Sequence, residues 1–167
     1  MRITLRDIRK QYGKVKANDG IDLEITEGSI HGILGENGAG KSTLMKVLAG
    51  YTAKTSGTIL LNGRPAEDDH PSQATRLGIG MLYQDPLDFP PLTVLENFMM
   101  GLDRGLLSRE EAFRLRLTEM AEPFGFHLHP DAAVERLTVG ERQQLELVRL
   151  LALGVEVLIL DEPTTGI

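Results

Sequence analysis

The residue types with the clearest chemistry lie between positions 35 and 43. Residues 35–42 read Gly-Glu-Asn-Gly-Ala-Gly-Lys-Ser and fit the pattern G-x-x-x-x-G-K-[ST] without substitution. Glycines let the backbone turn tightly, so that successive N–H groups point inward and bind phosphate oxygens. Lys41 can reach the β- and γ-phosphates, and the Ser42 hydroxyl can ligate Mg²⁺. The pattern predicts a nucleoside triphosphate site, against the alternative of a glycine-rich turn between a strand and a helix.

The segments on either side of this loop support the same interpretation. Residues 29–34 are apolar enough to predict a short buried strand that enters the loop. Residues 43–49 predict a helix that leaves the loop, and Gly50 is a stop signal. The phosphates would then lie at the helix N-terminus, where free N–H groups and the helix dipole favour anions.

A second motif lies near the end of the chain. Residues 157–160 form an apolar run that predicts a buried strand, and Asp161 and Glu162 follow it. A carboxylate at the tip of such a strand suits Mg²⁺, so Asp161 would hold the metal and Glu162 would polarise the attacking water. The alternative is an acidic turn at the end of a core strand, and the phosphate-binding pattern makes this alternative the weaker one.

Composition limits the class of protein. A chain of 167 residues can bury one good core with room for a small subdomain. The net charge of −6 argues against a nucleic-acid surface, and the absence of cysteine fits the cytosol and excludes disulfides and thiolate metal sites. No segment approaches a membrane span, so any membrane role must come through a partner.

Hydrophobic patterning predicts the elements that position these motifs. Alternation predicts strands at 2–8 and 21–25, and further strands are predicted at 58–61, before an Asn-Gly turn, and at 78–83. A short helix is predicted at 71–77 and a proline-rich loop at 85–91. Further helices are predicted from the N-cap Thr93 to 100, from 108 to 122 and from 141 to 153.

The turn that precedes the last helix identifies a family. Thr138 and Gly140 form another anion-ready helix start shortly before the Asp161 strand. With this turn, the chain resembles the nucleotide-binding subunit of ATP-binding cassette (ABC) transporters over its whole length, with the motifs in the family's order. The resemblance implies an α/β fold: a P-loop NTPase core with an antiparallel β subdomain and an inserted helical subdomain.

Within one ABC ATPase domain, the predicted boundaries are 1–84 for the β subdomain and P-loop core, 85–137 for the helical subdomain, and 138–167 for the signature helix and the carboxylate strand. The resemblance also implies roles for single residues. Tyr12 would stack on adenine, Gln84 would contact Mg²⁺ and water, and Thr138 and Gly140 would contact the γ-phosphate. Asp161 and Glu162 match the magnesium aspartate and the catalytic glutamate, and the metal ligands are then Ser42, Gln84 and Asp161. The remaining nucleotide-binding residues are Gly35, Asn37, Gly38, Ala39, Gly40, Lys41 and Thr43.

The signature turn departs from the commonest family form, Leu-Ser-Gly-Gly-Gln. Thr138, Val139 and Glu141 replace the serine, the first glycine and the glutamine. These changes are similar to the importers of simple sugars and nucleosides, and residues 92–97 also resemble that branch. Arg142 and Gln144 depart even from this form.

The sequence stops at Ile167, within the loop that follows the carboxylates Asp161 and Glu162. Family members continue with further strands and a histidine that touches the γ-phosphate, and all four histidines here precede Asp161. We therefore expect an incomplete cassette, truncated after the second carboxylate motif. An open sheet edge or an exposed apolar face is a natural consequence.

The expected function is an ATPase subunit that powers an importer of sugars or nucleosides, with ATP and Mg²⁺ as cofactors. A second cassette, as a homodimer or tandem half, would close over the ATP, and membrane-spanning permease subunits would hold the protein at the cytoplasmic face of the membrane. No nucleic-acid partner is expected. Three alternatives stay open: a cytosolic cassette ATPase that acts on DNA or ribosomes, a non-hydrolytic ATP-binding regulatory module, and a P-loop phosphotransferase.

Overall fold

The computed structural model describes residues 1–66, 71–83, 85–102 and 110–161, and for residues 71–73 it describes the backbone alone. The chain forms two compact units, and the division between them falls between Gly80 and Met81. The predicted subdomain boundaries remain predictions.

The first unit is built on an antiparallel sheet. Strand β1 (Ile3–Tyr12) forms a hairpin with β2 (Val15–Ile25), and β3 (Ser56–Leu61) and β4 (Arg64–Pro65) complete the order β2-β1-β3-β4. Ile3, Leu5 and Ile8 are buried. The predicted strands at 2–8, 21–25 and 58–61 are thus confirmed, but the hairpin extends the first two toward the turn at 13–14.

Helix α1 (Lys41–Leu48) connects the hairpin to β3 and packs through Leu44, Val47 and Leu48. Helix α2 (Pro71–Arg76) and strand β5 (Ile79–Leu82) follow, and all four β5 residues are buried as the apolar run predicts.

One predicted strand is absent. Residues 29–34 have no strand structure, and the Ile30 and Leu34 side chains are 103% and 95% exposed. A buried parallel strand needs neighbouring strands to pair its N–H and C=O groups. Among the described residues no strand pairs with this segment. The prediction of a buried strand before the phosphate-binding loop is therefore wrong for this structure.

The second unit is mainly helical. Helices α3 (Val94–Met99), α4 (Glu110–Ala121) and α5 (Val139–Ala152) pack together, with 3₁₀ turns at Glu122–Phe124 and Val134–Arg136. Ser108, the predicted start of α4, lies outside the described residues. The core of this unit joins all three helices through Val94, Leu95, Phe98, Phe113, Leu117, Ala121, Val134, Leu145, Val148 and Ala152.

Strand β6 (Val157–Leu160) pairs with β5 in a two-stranded sheet. Of its four residues only Ile159 is buried, and Leu160 is 46% exposed, so the prediction of a fully buried strand is only partly right. Strands are fully buried inside larger sheets with both faces covered, and in the described part of the chain β6 belongs to a sheet of two strands. None of the described helices is long and apolar enough to cross a membrane.

Candidate nucleotide-binding site

The start of α1 lies directly on strand β2. Gly40 is the N-cap residue with φ 87°, and no side chain caps the helix. A Cβ atom at Gly40 would lie 2.1 Å from the Ala17 carbonyl oxygen, so only glycine allows this approach. The Asn18 Nδ2 donates a hydrogen bond of 3.1 Å to the Gly40 carbonyl. The hairpin thus positions the helix start, and the N-cap residue itself supplies no side-chain cap.

The loop before α1 holds a cation among its carbonyls. The Lys41 Nζ donates to the Gly35 and Glu36 carbonyl oxygens at 2.8 and 2.9 Å. Gly38 has φ 85°, and a Cβ atom there would meet no atom within 4 Å. Backbone N–H groups of an uncapped helix start, an open glycine turn and a lysine ammonium together suit a polyphosphate.

Tyr12 ends strand β1 and is 50% exposed. Its hydroxyl lies 3.4 Å from the Thr52 hydroxyl, and the Lys10 Nζ lies 4.7 Å from the ring centroid. Tyr12 pairs with Val15 of strand β2 in the hairpin. Val15 precedes Asn18, which contacts Gly40, by three residues on the same strand. At the rise of an extended strand, about 10 Å separates the Val15 position from the contact with Gly40.

The second predicted anion site, the start of α5, has a different structure. Thr138 and Glu141 form a capping box: the Thr138 Oγ1 accepts from the Glu141 N–H at 3.2 Å. The Glu141 carboxylate accepts from the Thr138 N–H and hydroxyl, both at 2.8 Å. These bonds to Thr138, the backbone one first, lower the pKa of Glu141. Val139 is half exposed and Gly140 is partly exposed.

The metal-binding predictions fall into separate parts of the chain. Ser42 lies in the first turn of α1, and Asp161 follows β6 with its N–H donating to the Leu82 carbonyl at 3.2 Å. The two predicted catalytic residues, Gln84 and Glu162, lie outside the described residues. The described residues hold no group of three or more His, Cys, Asp or Glu side chains suited to a metal. A hydroxyl and a carboxylate nevertheless fit Mg²⁺, which usually keeps waters and shares its ligands with substrate phosphates.

Sequence reasoning missed a charged network on α5. Both Nε and Nη2 of Arg142 donate to Asp88, each at 2.6 Å, and the Asp88 side chain is only 5% exposed. The hydrogen bond to Asp88 raises the pKa of Arg142. The sequence showed Arg142 as a departure from the family form. An arginine at that position could have indicated an ion pair with an acidic residue distant in sequence, which the structure identifies as Asp88.

Glu146 lies one turn beyond Arg142 on the same helix. Its carboxylate accepts from the Leu87 N–H at 2.7 Å and from the Arg149 guanidinium at 3.1 Å. Burial raises the pKa of Glu146 in spite of both contacts. Asn97 of α3 binds the same loop, accepting from the Phe89 N–H at 2.8 Å and donating to the Phe89 carbonyl at 3.1 Å. The proline-rich loop is therefore bound to two helices.

Comparison with known proteins agrees with this arrangement of motifs. A model of the ABC transporter family matches residues 18–165. The chain belongs to the ABC transporter family. It is 38% identical, over 97% of its length, to the nucleoside import ATP-binding protein NupA of Lactococcus lactis subsp. cremoris. It is 40% identical, over 99% of its length, to the ribose import ATP-binding protein RbsA of Yersinia pestis.

These alignments cover 32% and 33% of the two relatives, so the chain spans about a third of their length. Solved ABC structures have the same fold. The ADP conformation of an ATP-binding cassette of an ABC transporter superposes with a TM-score of 0.81 at 27% identity, covering 100% of this chain and 71% of that one. CbiO1 from Clostridium perfringens gives 0.80 at 29% identity, covering 99% and 66%. The predicted α/β ABC ATPase fold is therefore confirmed.

Proposed function

We propose that this chain binds ATP and forms part of the ATP-hydrolysing subunit of an importer of sugars or nucleosides. The observation that carries the proposal is the uncapped start of α1, held against β2 at Gly40 and followed by Lys41. The family match and the import functions in the names of the relatives support the transport role.

In the proposed site, each group of the first unit has one task. The loop amides of residues 35–43 bind phosphate oxygens, and the Lys41 ammonium neutralises their charge after leaving the Gly35 and Glu36 carbonyls. The Tyr12 ring stacks on adenine, since about 10 Å of strand between Val15 and Asn18 leaves room for the ribose and the first phosphate.

The remaining groups act on the terminal phosphate. Ser42, Gln84 and Asp161 would hold Mg²⁺, which would supply positive charge to neutralise the phosphates. Glu162 would orient the attacking water. Thr138 and Gly140 of a second cassette would close over the nucleotide, and permease subunits would receive the motion at the membrane. Because bound ATP would favour the closed pair, hydrolysis would release it.

The first test is nucleotide affinity. Lys41→Ala should weaken ATP binding at least about tenfold, because it removes the charge that faces the phosphates. Lys46→Ala is the matched control, since Lys46 is an exposed lysine on the same helix. Equal ATP affinity in the two variants would contradict the phosphate site.

The second test separates binding from hydrolysis in the full-length protein. Glu162→Gln should retain ATP binding and lose steady-state turnover, measured as phosphate release. Turnover that survives the change would show that Glu162 is not the catalytic carboxylate.

One observation favours a second candidate, an ATP-binding module that does not hydrolyse. The Thr138 hydroxyl and the Glu141 N–H already bind each other, and the Glu141 carboxylate adds negative charge where a γ-phosphate would approach. Tight ATP binding without phosphate release, in the full-length protein with its permease partners, would select this candidate.

A further inference from the structure

The Tyr12 ring has a cation on one of its two faces. The Lys10 Nζ lies 4.7 Å from the ring centroid, within the range of a cation–π contact. Tyr12 is nevertheless 50% exposed as a residue. One face of the ring is therefore covered by an ammonium, and the residue still has surface open to a ligand.

The position of this ammonium is set by the backbone of the loop after α1. The Lys10 Nζ donates a hydrogen bond of 2.6 Å to the Ala53 carbonyl, and Lys10 is only partly exposed. The loop itself is fixed to β1, since the Thr55 N–H donates to the Arg9 carbonyl at 2.8 Å and the Thr55 hydroxyl accepts from the Gln11 N–H at 3.0 Å. Lys10 is thus held in place beside the ring.

The same loop connects the aromatic ring to the helix of the phosphate-binding loop. The Tyr51 and Thr52 N–H groups donate to the Lys46 carbonyl of α1, at 2.8 and 3.3 Å. The Thr52 hydroxyl in turn lies 3.4 Å from the Tyr12 hydroxyl. The ring is supported at its hydroxyl and on one face by groups that are fixed relative to α1.

We propose that Lys10 is a positioning residue for the nucleotide base. It holds the Tyr12 ring with one face outward, and its charge draws electron density toward the covered face. The open face then becomes a better partner for an electron-rich purine, because aromatic stacking depends on the charge distribution of both rings. This inference rests on the proposed function, in which Tyr12 stacks on adenine.

The experiment measures the affinity of the chain for ATP and for inorganic tripolyphosphate, which has the phosphates without the base. Lys10→Met should weaken ATP binding about two- to fivefold, the size of a cation–π contact, and leave tripolyphosphate binding unchanged. Lys10→Arg should keep the ATP affinity near that of the native chain, since a guanidinium also binds an aromatic face and a carbonyl. Lys14→Met is the control, because it removes the same charge from an exposed site on the same hairpin.

Three results would overturn the role of Lys10. Equal ATP affinity in Lys10→Met and Lys14→Met would show that the contact does not matter. Equal losses for ATP and tripolyphosphate would show a general charge effect. A gain in ATP affinity would show that Lys10 competes with the base for the ring.

Tyr12→Ala distinguishes this inference from the function on which it rests. If Tyr12→Ala leaves ATP affinity unchanged, the adenine site itself is wrong. If it weakens ATP binding, Lys10→Met should have no further effect in that background, because the two residues act through one contact.

Discussion

The two helix starts that the sequence marks as anion sites differ in how their first turns are completed. Helix α1 begins at a left-handed glycine, with no side-chain cap and with backbone packed against β2. Helix α5 begins at Thr138 with a complete capping box. Both are short motifs of hydroxyl residues and glycines in the sequence, and of the two N-cap residues only Thr138 forms a side-chain cap.

The difference indicates that the α1 start is free to bind a ligand, whereas the α5 start uses its polar groups to stabilise the helix. The first N–H groups of any helix need partners, and the N-cap residue of α1 is a glycine, which has no side chain to supply one. In α5 the Glu141 N–H has a partner in Thr138, and the Glu141 carboxylate places negative charge at the N-terminus. We infer that α1 takes the phosphate charge within one cassette, and that α5 would need a rearranged cap to contact a phosphate.

The largest expected change in the free energy of unfolding comes from a substitution at the start of α1. Gly40→Ala should lower the free energy of unfolding by about 3 kcal/mol, because it adds a Cβ atom against the Ala17 carbonyl and strains a left-handed backbone. Gly38→Ala is the matched variant: its φ is 85° but its Cβ has open space, so the loss should be about 1 kcal/mol. Urea denaturation followed by circular dichroism measures both. Equal losses would show that the contact with β2 does not fix the helix start.

An intermediate effect is expected from the charged network that fixes α5. Arg142→Gln should cost about 2 kcal/mol, because the nearly buried Asp88 carboxylate loses its paired charge. Arg114→Gln removes a guanidinium from an exposed pair with Asp131 and should cost less.

Asp88→Asn combined with Arg142→Gln tests the origin of that loss. The double variant should regain most of the stability, since no lone charge is left. Additive losses in urea unfolding would contradict a direct interaction between Asp88 and Arg142.

The smallest expected change in the free energy of unfolding comes from a substitution in the capping box of α5. Thr138→Ala should cost about 1 kcal/mol, and Thr93→Ala in the similar capping box of α3 should cost a similar amount. Unchanged stability in Thr138→Ala alone would show that the α5 cap is already open in solution, which would remove the contrast with α1.

The contribution of the same cap to the stability of the protein depends on pH. Because the folded pKa of Glu141 is lowered, its contribution is present above the unfolded pKa and is lost as the pH falls through the folded value. Thr138→Ala removes the hydroxyl bond and keeps the backbone bond, so it should flatten in part the fall of the free energy of unfolding at acid pH.

Much of the fold follows from local patterns. The alternation in β1 and β2, the buried run of β5 and the N-cap Thr93 were predictable because each depends on neighbours in sequence. The strand at 29–34 was predicted wrongly, because pairing depends on other strands and the described residues supply none. The roles assigned to Gln84, Glu162, Asp161 and the remaining site residues stay predictions.

Residue types at fixed spacing were enough to establish the family, the glycine-rich loop pattern at 35–42 and the order of the motifs. The contacts that hold each helix start are tertiary or conformational: Gly40 lies against the Ala17 carbonyl, and Thr138 and Glu141 bind each other. The same is true of the pairing of Arg142 with Asp88 and of Lys10 with the Tyr12 ring. Those contacts depend on how the chain folds back on itself, which residue spacing does not specify.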